Sequence, residues 1–156
     1  MLFRSAQVKT EADIPAPSSN LYPGILKVAR FGYDGKGQAR VNSPEEAIAA
    51  FNSFNHELCV LEQRVSLDTE VSVVLARDSA GKVAAFPTAE NTHRNGILDI
   101  SIVPARCNAD LREKAQKLAA QVAEKLGYIG TLGVEFFVSN GQLLINEMAQ
   151  IGRAHV

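Results

Sequence analysis

A glycine-rich segment that carries a lysine lies between two apolar runs near the start of the chain. It reads Gly32-Tyr33-Asp34-Gly35-Lys36-Gly37-Gln38. Glycines free backbone N–H groups to point at an anion and lysine adds positive charge, so this composition suits a flap over phosphate groups. The spacing fits neither a Walker A motif nor a dinucleotide fingerprint. Taken alone, the segment is more simply explained as a glycine-rich hairpin.

Lys27 interrupts the otherwise apolar run Ile25-Leu26-Lys27-Val28-Ala29. A lysine whose ammonium group is buried needs an anionic partner, and a phosphate would satisfy it. If the run is instead an edge strand with Lys27 facing water, no partner is required. The sequence leaves both alternatives open.

Two carboxylates interrupt the apolar strands near the end of the chain. Glu135 lies inside one strand, and Glu147 follows Asn146 at the end of the next. Carboxylate and amide oxygens are hard ligands of the kind that Mg²⁺ takes while it keeps waters and phosphate oxygens. The alternative is a half-exposed hairpin whose acids face solvent.

Strand register decides whether these carboxylates meet. A two-residue turn at Asn140-Gly141 places Glu135 opposite Asn146 and turns Glu147 to the other face of the sheet. A three-residue loop through Gln142, or a β-bulge, brings Glu135 and Glu147 together. A metal site requires one of the latter two geometries.

Glu62 and Glu70 flank a segment that begins Gln63-Arg64-Val65 and leaves the strand pattern. Such a segment can expose backbone groups that read the edge of a purine, and a nearby carboxylate can accept from ribose hydroxyls. Surface glutamates that flank a turn are equally common.

His93 stands in the polar stretch Glu90–Gly96, which predicts a turn, and a loop histidine is more often a surface residue than a catalyst. No serine or cysteine has the context of a nucleophile.

The elements around these residues alternate in an α+β pattern. Ser43-Pro44-Glu45-Glu46 predicts the start of a helix that ends near Asn55, and Asn108 caps a second helix that runs to about Leu126. Strands are predicted at 24–30, 39–41, 58–63, 69–77, 82–86, 97–103, 131–138 and 142–147. The segment 6–23 is rich in proline and serine, which predicts a linker.

The two ends of the chain read as foreign sequence. The final residues, 151–156, match one translation of a common sequencing-adapter oligonucleotide, and the opening residues match its reverse complement. We therefore expect residues 1–5 and 151–156 to be read-through of non-native sequence.

Composition limits the classes of function. The chain has 156 residues, 46% of them hydrophobic, and a formal charge of −1, which predicts one soluble cytoplasmic domain with no nucleic-acid or membrane partner. No uninterrupted apolar run is long enough to span a membrane, and the N-terminus lacks a signal-peptide pattern. Cys59 and Cys107 are isolated and are expected to be buried or semi-buried thiols.

Taken together, these motifs resemble the ATP-grasp domain of the 5-(carboxyamino)imidazole ribonucleotide synthase family. The resemblance spans about Gly24–Ala149. It rests on Ile25-Leu26-Lys27, Phe31-Gly32-Tyr33-Asp34-Gly35-Lys36-Gly37-Gln38, Leu61-Glu62-Gln63, Glu70-Val71-Ser72-Val73, Glu90-Asn91 with His93, Gly96-Ile97-Leu98-Asp99 and Asn146-Glu147-Met148-Ala149.

The resemblance implies an incomplete ATP-grasp fold, with two α+β subdomains that hold the nucleotide between them, a lead-in at 1–23 and the partial domain at 24–149. In that family bicarbonate is phosphorylated by ATP to carboxyphosphate, and 5-aminoimidazole ribonucleotide captures the activated carbon, which releases ADP and phosphate. By resemblance, Lys27 and Gly32–Gln38 lie at the phosphates, and Glu62, Gln63, Arg64 and Val65 line the adenine. Glu70 holds the ribose, His93 lies within the nucleotide site, and Glu135 with Glu147 binds Mg²⁺ beside Asn146.

The chain also departs from the family. After Ala149 it continues with Gln150 instead of the family's proline, arginine and histidine segment, and the flanking domains are absent. We therefore expect an ATP and Mg²⁺ site without synthase turnover from this chain alone; a homodimer is one alternative for the oligomeric state of the parent, which the sequence leaves open. The alternatives are another ATP-grasp enzyme, such as a biotin carboxylase or a formate-dependent glycinamide ribonucleotide transformylase, and a nucleotide-binding or inactive fragment.

Overall fold

A computed structural model describes residues 4–30, 37–94 and 97–152. These residues form two compact units, one within residues 2–65 and the other within 66–94 and 98–156. Residues 32–36 of the expected phosphate flap lie outside the described ranges. No helix in the described ranges is long and apolar enough to cross a membrane.

The N-terminal unit is an antiparallel sheet with one helix. Its sheet has the order β1-β4-β2-β3. Its elements are β1 (Ser5–Val8), a 3₁₀ turn (Glu11–Asp13), β2 (Gly24–Val28), β3 (Gln38–Val41), α1 (Pro44–Ser53) and β4 (Cys59–Gln63). The start of α1 is as predicted, because the Ser43 hydroxyl accepts from the Glu46 N–H at 3.3 Å. Phe51 of α1 packs with Leu26 and Leu61 of the sheet in one buried core.

The prediction that 6–23 is only a linker is wrong. β1 pairs with β4 from Ser5 opposite Glu62 to Val8 opposite Cys59, and Val8 is fully buried. The prolines that suggested a linker begin only at Pro15, after the strand. A four-residue strand with one buried apolar side chain is too short to give a clear alternation signal.

The C-terminal unit is a six-stranded sheet with one helix on one of its faces. Its sheet has the order β10-β9-β5-β7-β8, and β6 pairs with β5. Its elements are β5 (Thr69–Arg77), β6 (Val83–Ala85), β7 (Ala89–Arg94), β8 (Ile97–Ile102), α2 (Ala109–Lys125), β9 (Gly130–Ser139) and β10 (Gln142–Ile151). The Asn108 side chain caps α2 by accepting from the Leu111 N–H at 2.7 Å.

The two faces of this sheet differ in character. Val71, Val73 and Leu75 of β5 point to the α2 side, where they join Val134 and Phe136 of β9 in a buried core. Because side chains alternate along a strand, the residues between them, including Glu70 and Ser72, lie on the opposite face. That second face is called the open face below.

The predicted turn at Glu90–Gly96 is a strand over most of its length. β7 pairs with β5, with Asn91 opposite Glu70, and the last two residues of the expected turn lie outside the described ranges. An all-polar strand gives no hydrophobic period in the sequence. It is stable here because Asn91, which is only 6% exposed, has side-chain hydrogen-bond partners on both sides.

Of the two outer strands of this sheet, β10 extends further than predicted and β8 is exposed. β10 continues to Ile151, which pairs with Thr131. β8 is an edge strand, and its apolar side chains Ile97, Leu98 and Ile100 are each about half exposed. Cys59 is buried and Cys107 is partly buried, as expected.

Val8→Ala tests whether β1 belongs to the folded unit. Removing two buried methyl groups should lower the free energy of unfolding by about 2 kcal/mol. Chemical denaturation measures this loss. Ser5→Ala, at an exposed position of the same strand, should change it by less than about 0.5 kcal/mol, and equal, negligible effects of both substitutions would show that the strand adds no stability.

Candidate functional site

Lys27 forms an ion pair with a carboxylate of its own sheet. Its Nζ lies 2.6 Å from Glu62 Oε2, and the two side chains are 31% and 26% exposed. β2 lies between β4 and β3, which excludes the alternative of an edge strand. The other alternative, a partly buried lysine with an anionic partner, is the one the structure has, and in this structure the partner is Glu62.

The backbone around this ion pair is partly engaged. The Gln63 N–H donates to the Arg4 carbonyl at 3.0 Å, and the Arg64 N–H donates to the Pro23 carbonyl at 2.9 Å. A purine that binds to the segment 62–65 must therefore form its hydrogen bonds with backbone groups of this segment other than these two N–H groups.

Gly37 closes the described end of the glycine-rich segment. Its carbonyl accepts from the Val28 N–H at 2.8 Å, and its φ is +76°. A Cβ at this position would lie 2.5 Å from Val28 Cγ2. Only glycine fits this close approach without displacing β2.

A β-bulge brings the two C-terminal carboxylates together. Ser139 pairs with Gln142 across a two-residue turn, and the register is regular as far as Ile145 opposite Phe136. The next pair is Glu147 opposite Glu135, which leaves Asn146 as the extra residue. Of the expected geometries, the structure has the two-residue turn combined with the bulge.

Glu70 and His93 meet on the same open face. His93 Nδ1 lies 2.9 Å from Glu70 Oε2, and both side chains are 24% exposed. The Nδ1 atom is buried and lacks a well-aligned hydrogen bond within the described residues. The pair therefore has the distance of an ion pair without the geometry of a good hydrogen bond.

The electrostatics of this face favour a cation. Burial raises the pKa of Glu135 above its ordinary value. The charge of Glu147 raises this pKa further, His93 lowers it, and Glu70 raises it. Ionised carboxylates that are crowded and partly desolvated are stabilised by a bound cation. The open face is therefore suited to hold positive charge.

The donor set fits Mg²⁺ shared with a ligand. Glu135 and Glu147 offer carboxylate oxygens on one face of the sheet. Within the described residues no group of three or more His, Cys, Asp or Glu side chains could hold a metal ion. Mg²⁺ in proteins is commonly coordinated by one or two carboxylates, and water and phosphate oxygens complete its coordination shell. The two carboxylates of Glu135 and Glu147 therefore suffice as the protein ligands of such a site.

Sequence reasoning missed one hydrogen-bonded group on the open face. The Asn91 amide links Ser72 of β5 to Ser101 of β8. Alternation along β5 could have placed Ser72 on the face of Glu70. The connection to β7 required knowledge that the predicted turn is a strand.

The sequence of this chain matches a known domain family, which identifies its fold. Residues 2–155 match the ATP-grasp domain family. The chain belongs to the ATP-grasp family. The α+β ATP-grasp fold expected from the sequence is therefore confirmed.

Similar ATP-grasp proteins are named N5-carboxyaminoimidazole ribonucleotide synthases. One from Bacillus subtilis is 42% identical over 144 residues, which cover 91% of this chain and 38% of the relative. One from Brucella melitensis is 48% identical over 129 residues, which cover 81% of this chain and 36% of the relative. This ATP-grasp chain thus spans less than half the length of these relatives.

Solved structures agree with the sequence relatives. A Staphylococcus aureus N5-carboxyaminoimidazole synthetase complexed with ADP matches with a TM-score of 0.83 at 34% identity, covering 95% of this chain and 40% of that one. An ADP complex of an N5-carboxyaminoimidazole ribonucleotide synthetase matches with a TM-score of 0.84 at 36% identity, covering 97% and 41%.

The Lys27–Glu62 ion pair should be energetically coupled. Lys27→Met and Glu62→Gln should each lower the free energy of unfolding, because each leaves a partly buried group without its partner. The double variant should recover about 0.5–1.5 kcal/mol of the summed loss. Chemical denaturation of the four proteins measures this coupling.

The exposed pair Lys117 and Glu113, at 3.9 Å and 77% and 68% exposure, is a matched control that should show almost no coupling. Equal coupling in both pairs would contradict a special role for Lys27 and Glu62.

The raised pKa of Glu135 predicts a pH dependence of stability. Between the ordinary carboxyl pKa and the raised one, the folded state binds more protons than the unfolded state, so the free energy of unfolding falls as pH rises. Glu135→Gln should flatten this fall and raise Tm near neutral pH by about 1–3 °C. Thermal melts across this pH range measure it, with the exposed Glu113→Gln as control. A parallel pH profile in Glu135→Gln would refute the assignment.

Proposed function

We propose that this chain is the ATP- and Mg²⁺-binding part of an N5-carboxyaminoimidazole ribonucleotide synthase. The complete enzyme would carboxylate 5-aminoimidazole ribonucleotide with bicarbonate through carboxyphosphate, with ATP cleaved to ADP and phosphate. The bulge that puts Glu147 opposite Glu135 carries this proposal. The similarity to synthases so named and to their ADP complexes supports it.

The N-terminal unit would bind the phosphates and the adenine. Lys27 would contact the phosphates, residues 32–38 would cover them, and residues 62–65 would line the adenine. Glu62 neutralises Lys27 in the structure, so a phosphate would compete with Glu62 for the same ammonium group. The ammonium group of the partly buried Lys27 would then have an anionic partner both when nucleotide is bound and when it is absent.

The C-terminal unit would bind the ribose and the metal. Glu70 would accept from ribose hydroxyls, with His93 beside it at the nucleotide, and Glu135 and Glu147 would hold Mg²⁺ next to Asn146. The raised pKa of Glu135 supports this assignment, because a cation would relieve the repulsion from Glu147. When bound, the metal would neutralise charge on the transferred phosphoryl group.

The chain's own residues would contribute by positioning. Phosphoryl transfer depends mainly on alignment and on fixed charges, which a rigid hairpin and a lysine on an interior strand can supply. The proposed parent would act in the cytoplasm, as a homodimer, on small substrates. The near-neutral charge of −1 is consistent with that set of partners.

A thermal melt with and without Mg-ATP tests the proposal. At a hundredfold excess over its dissociation constant, a ligand of the folded state adds about 2.7 kcal/mol, or roughly 5–10 °C for a chain of this size. Lys27→Ala and Glu147→Gln should each abolish most of this shift, and omission of Mg²⁺ should reduce it.

Glu113→Gln, on the exposed side of α2, should retain the full shift. The proposal fails for this chain if Mg-ATP leaves Tm unchanged, or if both site variants shift as the unaltered chain does.

A further inference from the structure

A line of polar side chains crosses the open face of the C-terminal sheet from one edge strand to the other. Ser72 on β5 is directly opposite Glu135 on β9, which is directly opposite Glu147 on β10. On the other side, Ser72 is bonded to Asn91 on β7, and Asn91 to Ser101 on β8. These five residues are called the polar row.

The hydrogen bonds of the polar row have a direction. The Ser101 hydroxyl donates to Asn91 Oδ1 at 2.9 Å, and Asn91 Nδ2 donates to Ser72 Oγ at 2.8 Å. A serine hydroxyl that accepts still has one hydrogen to donate. The amide therefore orients Ser72 as a donor toward a further acceptor.

That acceptor is missing from the described part of the chain. No described side chain or carbonyl accepts from Ser72 Oγ. On one side Ser72 borders a recess of about 280 Å³, whose other lining residues, Val74, Phe86, Pro87, Ala89 and Val103, have no polar side-chain atom. On the other side lies Glu135, so a ligand oxygen beside Glu135 is the partner that this geometry fits.

We propose that the Ser72 hydroxyl donates a hydrogen bond to a phosphate oxygen of the nucleotide bound with Mg²⁺ at Glu135 and Glu147, and that Asn91 is the positioning residue that orients it. This inference rests on the function proposed above. It adds a nucleotide contact, Ser72, and a supporting pair, Asn91 and Ser101. A buried amide that is hydrogen-bonded at both its oxygen and its nitrogen gives the donor a fixed direction at little cost in stability.

Nucleotide affinity in Ser72→Ala is the direct test. Isothermal titration with Mg-ADP and with Mg²⁺ plus a non-hydrolysable ATP analogue should show a dissociation constant about tenfold higher, as expected for a hydrogen bond to a charged group. A loss with both ligands places the contact on the α- or β-phosphate, which ADP and the triphosphate share, and a loss with the triphosphate alone places it on the γ-phosphate. Unchanged affinity for both would overturn the proposal.

Ser101→Ala is the matched control for stability. It removes the other hydrogen bond of the same buried amide, so its Tm should fall about as far as that of Ser72→Ala. Its affinities should stay within about twofold of the unaltered chain, because a twofold change is well under 1 kcal/mol. An equal loss of affinity in Ser101→Ala would mean that packing of the amide matters and the Ser72 hydroxyl does not. Ser72→Thr, which keeps the hydroxyl, should restore binding.

Asn91→Asp reverses the direction of the row without removing either hydrogen bond. An ionised carboxylate only accepts, so Ser72 must donate to it and its hydrogen turns away from the ligand. Affinity should fall as in Ser72→Ala, and Asn91→Asp should add no further loss in a Ser72→Ala background. A further loss there would assign the effect to the new charge and overturn the proposal. If Ser72→Ala does not fold, Ser72→Cys, which keeps the size of the side chain but is only a weak donor, replaces it in both measurements with the same expected results.

The two proposals fail in different ways. If the unaltered chain binds neither Mg-nucleotide, both are refuted. If it binds, and Lys27→Ala and Glu147→Gln abolish binding while Ser72→Ala does not change it, only the role of Ser72 is refuted.

Discussion

The strand period of two residues is the constraint on which the C-terminal half of the site depends. A regular ladder after the Asn140-Gly141 turn would put Asn146 opposite Glu135 and send Glu147 to the α2 face. That face carries the apolar core residues Val134 and Phe136. In the bulged register the half-exposed Met148 lies opposite Val134 instead, so an apolar side chain and not a carboxylate borders the core. The bulge at Asn146 therefore both protects the core and gathers the acids on the open face.

The two units handle partly buried charge in different ways. In the N-terminal unit, Lys27 and Glu62 satisfy each other at 2.6 Å. In the C-terminal unit, Glu135 lies near two further carboxylates and its pKa is raised. One set of side chains is internally neutral, whereas the other has an excess of negative charge that a bound cation, or a proton on Glu135, can balance. That asymmetry is what a site for a magnesium-bound polyanion requires.

The sequence was sufficient for elements that carry strong local signals. Ser43 and Asn108 cap the two helices as predicted, and the motif resemblance led to the ATP-grasp fold. β1 and β7 were missed because one has a single buried apolar side chain and the other has only polar ones apart from Ala89, so neither shows a hydrophobic period. The bulge and the Lys27–Glu62 pair depend on register and strand order, which are properties of the assembled sheet and not of any local segment.

The exposed edge strand β8 has a consequence for the behaviour of the protein in concentrated solution. Its half-exposed Ile97, Leu98 and Ile100, on an edge that carries no further strand among residues 4–30, 37–94 and 97–152, form the kind of surface on which β-sheets of separate molecules join. Asp99 interrupts this run with a charge, and its carboxylate lies 3.4 Å from Arg94 Nε. A single acid of this kind acts as a gatekeeper against fibrous aggregation. Asp99 thus contributes to the colloidal stability of the chain while it has no part in the proposed chemistry.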